Sequence, residues 1–227
     1  FLQRRVAIKT INPQYAGSED AVARFHREAQ SAARIGHENI CAVTDIGQVA
    51  EGMPYLVMEL LQGESLAHAI ARDAPFPVGR TVDIAAQTLE ALAAAHGAGI
   101  VHRDMKPDNV FLTRLAGRTD FVKLLDFGIS KVRRAGAVDR ATLTQAGTVL
   151  GTPLYMSPEQ AMGETDVDAR TDVWAVGVMV HEMLVGRNPF EASNYNRILY
   201  NVLHADIPPL RTQRSSISPD VEGIVPV

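Results

Sequence analysis

The sequence predicts an α+β fold with two lobes, a small β-rich lobe containing one helix and a larger, mainly helical lobe. The first sixty or so residues alternate short β-prone runs with a single helical pattern, whereas the later segments have long apolar helix faces. The change of character falls at the connector in "PYLVMELLQGESL", where a buried strand over Tyr55–Glu59 runs into a glycine-containing stretch. We therefore predict a small lobe over residues 1–61 and a large lobe over residues 62–227.

The small lobe begins with the β-prone run "VAIK", which ends at Lys9. A helix is predicted from the N-cap Ser18 to the stop at Gly36, because apolar residues recur with helical spacing at Val22, Phe25, Ala29, Ala32 and Ala33. Glu28 lies at the edge of this apolar stripe. Its cationic partner is either Arg24, one helical turn earlier, or Lys9 from the strand.

Two helical patterns dominate the large lobe. The first has an apolar face and ends at Gly97 and Gly99; the face is formed by Val82, Ala85, Ala86, Leu89, Leu92 and Ala93. The second, "TDVWAVGVMVHEMLVG", is apolar on nearly all sides, which is typical of a helix buried in a core. Between them, residues 133–150 are rich in glycine, threonine and alanine and predict an exposed, mobile loop.

The composition excludes several classes of protein. The chain has 227 residues, 46% of them hydrophobic, and a net charge of −4, which argues against nonspecific nucleic-acid or membrane binding. The single cysteine, Cys41, excludes a disulfide framework and is expected to be a small buried apolar residue. The most apolar stretch, Val173 to Val180, is too short to span a membrane, so a cytoplasmic location is expected, and a membrane anchor outside this segment stays open as an alternative. Because the chain starts at Phe1, we expect it to be part of a longer protein.

Polar residues suited to phosphoryl transfer are concentrated in "VHRDMKPDNV" and in "LLDFGIS". Phosphoryl transfer needs metal ligands, a cation on the moving phosphate and a base near the attacking hydroxyl. The oxygens of Asn109 and Asp126 suit Mg²⁺, which uses few protein ligands. Asp104 can accept the hydroxyl proton, and Lys106 is close enough in sequence to reach the γ-phosphate.

The ordered motifs resemble those of eukaryotic-like serine/threonine protein kinases, in wording most similar to the bacterial members, over essentially the whole chain. The motifs are "VAIK", the helix with Glu28, "HRDMKPDN", "DFG", "GTPLYMSPE" and "DVWAVG". Each motif is weak by itself, but their order and spacing make a chance match negligible. The resemblance implies the two-lobed kinase fold, with ATP bound between the lobes.

The resemblance also implies roles for individual residues. Lys9 would hold the α- and β-phosphates of ATP and pair with Glu28, Asp104 would be the catalytic base, and Lys106 would bind the γ-phosphate. The implied metal is Mg²⁺ or Mn²⁺, with Asn109 and Asp126 as ligands. The adenine site would comprise the gatekeeper Met58, the backbone of Glu59 and Leu61, and the side chains of Ala7 and Phe111 on the two faces of the base.

Further residues resemble the supporting and specificity positions of the family. Lys106 and Thr152 match the serine/threonine kinases rather than the tyrosine kinases, and Thr152 could hydrogen-bond Asp104. His102 is expected to pack and hydrogen-bond within its loop. Asp172, on the buried helix, is expected to accept backbone N–H groups from that loop, since an unpaired carboxylate there would be costly. Trp174 is expected in the core.

The segment 126–159 is the predicted activation segment. Arg103 adjoins the catalytic base, which is unfavourable unless an anion neutralises it, and a phosphorylated threonine would supply that charge. We expect autophosphorylation at Thr144, with Thr142 and Thr148 as alternatives. Lys131 and Arg24 could complete the phosphate-binding cluster.

The sequence departs from the family pattern at both ends. No glycine-rich hairpin precedes "VAIK" in the chain, and the family's last helices have no counterpart after "SPDVEGIV", so the catalytic domain is expected to be truncated at both ends. Two functions remain open: a protein kinase acting on serine and threonine of protein substrates, or a catalytically weak or inactive kinase-fold module that binds nucleotide or protein. No nucleic-acid partner is expected, and no membrane contact within this segment.

Overall fold

The computed structural model describes residues 5–11, 18, 22–23, 25–26, 33–49, 53–115, 117–126 and 153–223. Several sequence predictions lie outside the described residues, namely those on Arg24, Glu28, Lys131, Thr142, Thr144, Thr148 and Thr152, and the predicted mobile loop over 133–150.

A three-stranded antiparallel sheet forms the N-terminal part of the structure. Its strands are β1 (Val6–Thr10), β2 (Val43–Gln48) and β3 (Pro54–Glu59), in the order β1-β3-β2. Ala7 lies opposite Met58 and Lys9 lies opposite Leu56, so these four side chains share one face of the sheet. Apolar side chains of Ile11, Phe25 and Leu56 form a small core on this lobe.

The helix predicted between Ser18 and Gly36 is present in the residues that the structure describes there. The amide of Val22 donates to the carbonyl of Ser18 at 3.0 Å, as a first helical bond should. Residues 22–23, 25–26 and 33–34 are helical, and Phe25 is buried, as its place on the apolar stripe predicts.

A second antiparallel sheet follows the connector. Its strands are β4 (Gly63–Ser65), β5 (Val110–Leu115) and β6 (Arg118–Leu124), in that order. The two sheets are linked at Ile40, which bridges to Leu124, and the amide of Cys41 donates to the Leu124 carbonyl at 2.9 Å. Cys41 is buried, as predicted, and burial raises the pKa of its thiol to about 11.

Helix α1 (Leu66–Asp73) leads into the long helix α2 (Val78–Gly97), whose buried face differs from the predicted one. Of the six predicted face residues only Leu92 is buried, whereas Val82 and Leu89 are exposed. The buried face includes polar residues instead, because Gln87 anchors the helix to the neighbouring sheet. Its amide oxygen accepts from the amide of Val122 at 3.0 Å, and its Nε2 donates to the carbonyl of Asp120.

The remaining helices of the large lobe share two apolar clusters with α4 (Arg170–Val185), the helix predicted to be buried. They are α3 (Pro158–Met162), α5 (Tyr195–His204), α6 (Leu210–Gln213) and α7 (Pro219–Glu222). Met179 and Met183 of α4 pack with Leu92 of α2 in the largest core of the protein. Trp174 stacks on Phe190 in a neighbouring apolar cluster, as expected for a core residue. No helix in the described part of the chain is both long enough and apolar enough to cross a membrane.

Candidate active site

The loop "VHRDMK" between α2 and the 3₁₀ turn Pro107–Asn109 is held by one buried carboxylate. The Asp172 side chain is 1% exposed and accepts hydrogen bonds from the amides of His102 and Arg103, both at 2.8 Å. Its Oδ2 also lies 2.8 Å from Nε2 of His96 at the end of α2. The prediction that Asp172 accepts backbone N–H groups from this loop is therefore confirmed.

His102 is fully buried and links two segments of the site. Its Nδ1 accepts the amide of Asp104 at 3.3 Å, so Nε2 has the proton that is donated to the carbonyl of Leu125 at 3.0 Å. Burial lowers the pKa of His102, and the Asp172 carboxylate opposes that shift only in part. The ring is thus neutral and has the packing and hydrogen-bonding role predicted for it.

Asp104, Lys106 and Asn109 lie close together in the loop. Nζ of Lys106 is 3.5 Å from Oδ2 of Asp104, and Nδ2 of Asn109 donates to the backbone carbonyl of Asp104 at 2.8 Å. The Asn109 carbonyl accepts the amide of Leu125 at 2.9 Å, which connects the loop to the residue before Asp126. The structure therefore brings together the predicted base, the lysine predicted to bind the γ-phosphate and one predicted metal ligand.

Lys9 lies beside the other predicted metal ligand. Its Nζ is 2.6 Å from Oδ1 of Asp126, although the two residues are 117 positions apart. Asp126 has a φ of 48°, a left-handed conformation that is uncommon outside glycine. The predicted partner of Lys9, Glu28, lies outside the described residues.

The donor set of Asn109 and Asp126 fits a hard divalent cation. Because Nδ2 of Asn109 donates to the backbone carbonyl of Asp104, the oxygen Oδ1 lies on the other side of the amide group and is the atom that would bind a metal ion. Asp126 supplies a carboxylate. Within the described ranges, no group of three or more His, Cys, Asp and Glu residues could hold a metal ion. Two oxygen ligands are in keeping with Mg²⁺, which retains most of its waters.

The residues predicted to contact adenine lie on both sheets. Ala7 and Met58 are opposite one another on β1 and β3, Leu61 follows β3, and Phe111 is partly buried on β5 between Ser65 and Lys123. The Glu59 side chain has a role that the sequence did not reveal. Its Oε1 accepts from Nζ of Lys123 at 2.7 Å and from the amide of Ala42 at 2.8 Å.

A cavity lies beside the predicted base, and several of its lining residues, Gln160 among them, were not predicted from the sequence. The lining includes Arg103, Asp104, Lys106, Tyr155 and Gln160. Gln160 donates from Nε2 to the Arg103 carbonyl at 2.8 Å. The pattern Ser157-x-x-Gln160 is a capping-box signature and could have pointed to Gln160 as a structured residue.

The chain is also similar to known proteins. The family described as protein kinase domain matches residues 2–224. The serine/threonine-protein kinase pkn3 of Myxococcus xanthus is 40% identical over 226 residues, which cover 99% of this chain and 41% of the relative. PknB of Mycobacterium leprae, also a serine/threonine-protein kinase, is 37% identical over 227 residues, 99% of this chain and 35% of the relative.

A solved structure also matches. The crystal structure of the PknI kinase domain of Mycobacterium tuberculosis superposes with a TM-score of 0.65 at 28% identity, covering 92% of this chain and 71% of that chain. The chain spans less than half the length of the two curated relatives described above. The predicted fold class, a small β-rich lobe and a larger helical lobe of the kinase type, is confirmed, and the chain belongs to the protein kinase family.

Proposed function

We propose that the chain is the catalytic region of a protein kinase that transfers the γ-phosphate of ATP to serine or threonine hydroxyls of proteins. The observation that supports this most strongly is the convergence of Asp104, Lys106 and Asn109 in one loop, tied through Leu125 to Asp126 and from there to Lys9. We also propose that the lobes meet between residues 61 and 62, where β3 gives way to the second sheet.

Asp104 acts as the base in this proposal. Its side chain is about a quarter exposed, so a substrate hydroxyl can reach it, and the backbone around it is fixed by Asn109 and His102. The carboxylate orients the hydroxyl and accepts its proton as the oxygen attacks the γ-phosphorus. The ammonium of Lys106 lies beside the same carboxylate, at the place where the γ-phosphate would meet the attacking hydroxyl. Lys106 therefore neutralises charge on the phosphate during the transfer.

Lys9 binds the α- and β-phosphates of ATP in this proposal. The adenine is enclosed by the residues predicted for it, namely Met58, Glu59, Leu61, Ala7 and Phe111.

Asn109 and Asp126 would hold Mg²⁺, or Mn²⁺, which when bound neutralises phosphate charge. The ion pair between Lys9 and Asp126 keeps both groups at the same place. Binding of Mg-ATP would exchange this internal pairing for contacts with phosphate and metal.

The relatives named serine/threonine-protein kinase support hydroxyl acceptors of the short serine and threonine type. Lys106 and Thr152 agree with this class. Labelled γ-phosphate transfer to a generic basic protein, followed by acid hydrolysis and separation of the phosphoamino acids, tests it. We expect phosphoserine and phosphothreonine; phosphotyrosine as the main product would contradict the proposal.

Activation by autophosphorylation belongs to the same proposal. Nε of Arg103 is buried and has no hydrogen-bond partner in the described part of the chain, which costs about 1–3 kcal/mol for a polar group. A phosphate on Thr144, or on Thr142 or Thr148, would satisfy this donor. Phosphosite mapping after incubation with Mg-ATP tests the choice, and an unmodified Thr144 in a fully active enzyme would exclude it.

The other candidate is a kinase-fold module that binds nucleotide or a protein without turnover. A scaffold has no need of Lys9, Asp104, Lys106, Asn109 and Asp126 together, so their geometry favours the enzyme. The Asp104→Asn variant separates the two functions in the labelled-phosphate assay. Equal phosphate incorporation by the variant and the wild type would leave the scaffold as the better account.

A further inference from the structure

Gln160 connects helix α3 to the loop that contains the proposed base. Its backbone amide and side-chain Oε1 form a capping box with Ser157, at 3.5 Å and 3.2 Å. The other side-chain atom, Nε2, donates to the carbonyl oxygen of Arg103 at 2.8 Å. One amide group thus caps a helix with its oxygen and holds a distant loop with its nitrogen.

The residue that Gln160 holds has an unusual backbone. Arg103 has a φ of 63°, in the left-handed region that costs a non-glycine residue about 1–3 kcal/mol unless its surroundings enforce it. The amide of Arg103 donates to Asp172 at 2.8 Å, while its carbonyl accepts from Gln160. Both backbone polar groups of Arg103 are therefore fixed, from two different helices, and Asp104 follows directly.

These hydrogen bonds belong to a closed network, called the ring below. Ser157 Oγ lies 2.8 Å from Oγ1 of Thr171, and Thr171 precedes Asp172 on α4. The ring passes from Gln160 to Arg103, Asp172, Thr171, Ser157 and back to Gln160. The 3₁₀ turn Pro153–Tyr155, just before Ser157, contributes Tyr155 to the cavity that Asp104 also lines. A displacement of the segment 153–157 would therefore be transmitted to Asp104 through Gln160.

We propose that Gln160 is a positioning residue that holds the left-handed backbone at Arg103 and thereby sets the place of Asp104 relative to the substrate-side segment before α3. This proposal rests on the role of Asp104 as base given above. Because misplacing a reacting group by about 1 Å can cost on the order of a hundredfold in rate, one hydrogen bond at this point has a large effect on turnover.

The decisive variant is Gln160→Glu. The new carboxylate keeps an oxygen for the amide of Ser157, and glutamate is a preferred residue at this capping-box position, so α3 remains capped. The donor to the Arg103 carbonyl is replaced by an oxygen. We expect kcat for peptide phosphorylation to fall by roughly tenfold to a hundredfold, with the Kd for ATP and the thermal midpoint close to wild type.

A pH series provides a second readout. Protonation restores a donor on the introduced carboxyl group, whose ordinary pKa is about 4.3. The ratio of the variant's kcat to that of the wild type should therefore rise as the pH is lowered toward about 5. A purely structural role for Gln160 would leave this ratio flat.

Two control variants separate positioning from helix stability. Ser157→Ala removes the cap and the contact with Thr171 but keeps the donor to Arg103, so we expect a larger fall in thermal midpoint and a smaller fall in kcat than for Gln160→Glu. Met162→Ala alters an exposed residue of the same helix and should leave both quantities unchanged.

The outcomes distinguish this inference from the proposed function. If Asp104→Asn is inactive while Gln160→Glu has the kcat of the wild type, or a flat pH ratio, the role of Gln160 is overturned and the kinase activity stands. If Asp104→Asn is fully active, both proposals are wrong. Both proposals are supported if both variants lose activity and if the ratio of the kcat of Gln160→Glu to that of the wild type rises as the pH is lowered.

Discussion

The ammonium of Lys9 and the carboxylate of Asp126 form an ion pair of 2.6 Å that joins strand β1 to the segment after strand β6. The two side chains are 34% and 45% exposed, so the pair is well screened by water. Such a pair contributes little to the free energy of unfolding. Its significance lies in placing a cation beside the carboxylate that is proposed to bind the metal ion.

Replacement of Lys9 by methionine should therefore affect catalysis far more than folding. We expect a large fall in kcat and weaker ATP binding, with a change of at most about 1 kcal/mol in the free energy of unfolding. Steady-state kinetics and urea unfolding measure the two effects. Lys9→Arg is the matched control: it retains the charge without the compact ammonium, so it should restore stability but not full activity. A fully active Lys9→Met variant would contradict the role of Lys9.

Replacement of Asp172 by asparagine should destabilise the protein and lower its activity together. The introduced NH₂ group would face an N–H donor in place of the oxygen that serves His102 and His96. Hydrogen bonds to a charged group contribute about 1.5–3 kcal/mol each, so we expect a loss of at least that size in urea unfolding.

The matched control for Asp172 is Asp168→Asn. Asp168 pairs with Arg170 on the surface, and both side chains are exposed, so this change should have almost no effect on stability. Similar losses for the two variants would show that the buried network around Asp172 is not what holds the loop.

Gly63, the first residue of strand β4 and paired with Thr113 of β5, should not tolerate a side chain. It has a φ of 154°, and an added Cβ would clash with the carbonyl oxygen of Leu112. We expect Gly63→Ala to cost about 1–3 kcal/mol, because the backbone of β5 would have to move. Gly177→Ala within helix α4 is the control: apart from the backbone of the helix itself, nothing lies within 4 Å of an added Cβ, and alanine should stabilise the helix by about 1 kcal/mol. Chemical denaturation of both variants checks the opposite signs.

His102 should make stability depend on pH. Burial lowers its pKa in the folded state, so the unfolded chain binds a proton at a higher pH than the native protein does. The contribution of the neutral His102 ring to the free energy of unfolding is fully present above the ordinary pKa of 6.5. It is lost as the pH falls from that value toward the lower pKa of the folded state.

This prediction is tested by measuring the thermal midpoints of the wild type and of the His102→Asn variant as the pH is lowered below 6.5. The variant should show a shallower loss on acidification than the wild type. His181, whose pKa burial also lowers, is unchanged in both proteins and cancels in the comparison. Parallel curves would mean that His102 titrates alike in the folded and unfolded states.

The sequence predicted best those features that depend on local pattern. The buried helix α4 follows from its continuous apolar composition, and the acceptor role of Asp172 follows from the cost of a buried carboxylate. The face of α2 was predicted wrongly because Gln87 is buried to bond the sheet, while Val82 remains exposed. Hydrophobic periodicity cannot reveal a polar side chain that is buried for a distant hydrogen bond.

Two site contacts that the sequence did not predict join residues far apart along the chain. Lys123 bonds Glu59 across 64 positions, and Gln160 bonds Arg103 across 57. Motif recognition identified Asp104 and Asn109 but not Gln160, whose side chain holds the carbonyl of the residue before Asp104. The pairing of Lys9 with Asp126 was likewise not anticipated, since only Glu28 was named as its partner.

The most direct test of the central claim is the rate of γ-phosphate transfer by Asp104→Asn at saturating ATP, with the Kd for ATP determined on the same preparations. We expect kcat to fall by about 10²–10⁴-fold, while ATP affinity and the unfolding midpoint stay close to wild type. A variant with the kcat of the wild type would contradict the assignment of Asp104 as the base and, with it, the kinase mechanism proposed for this chain.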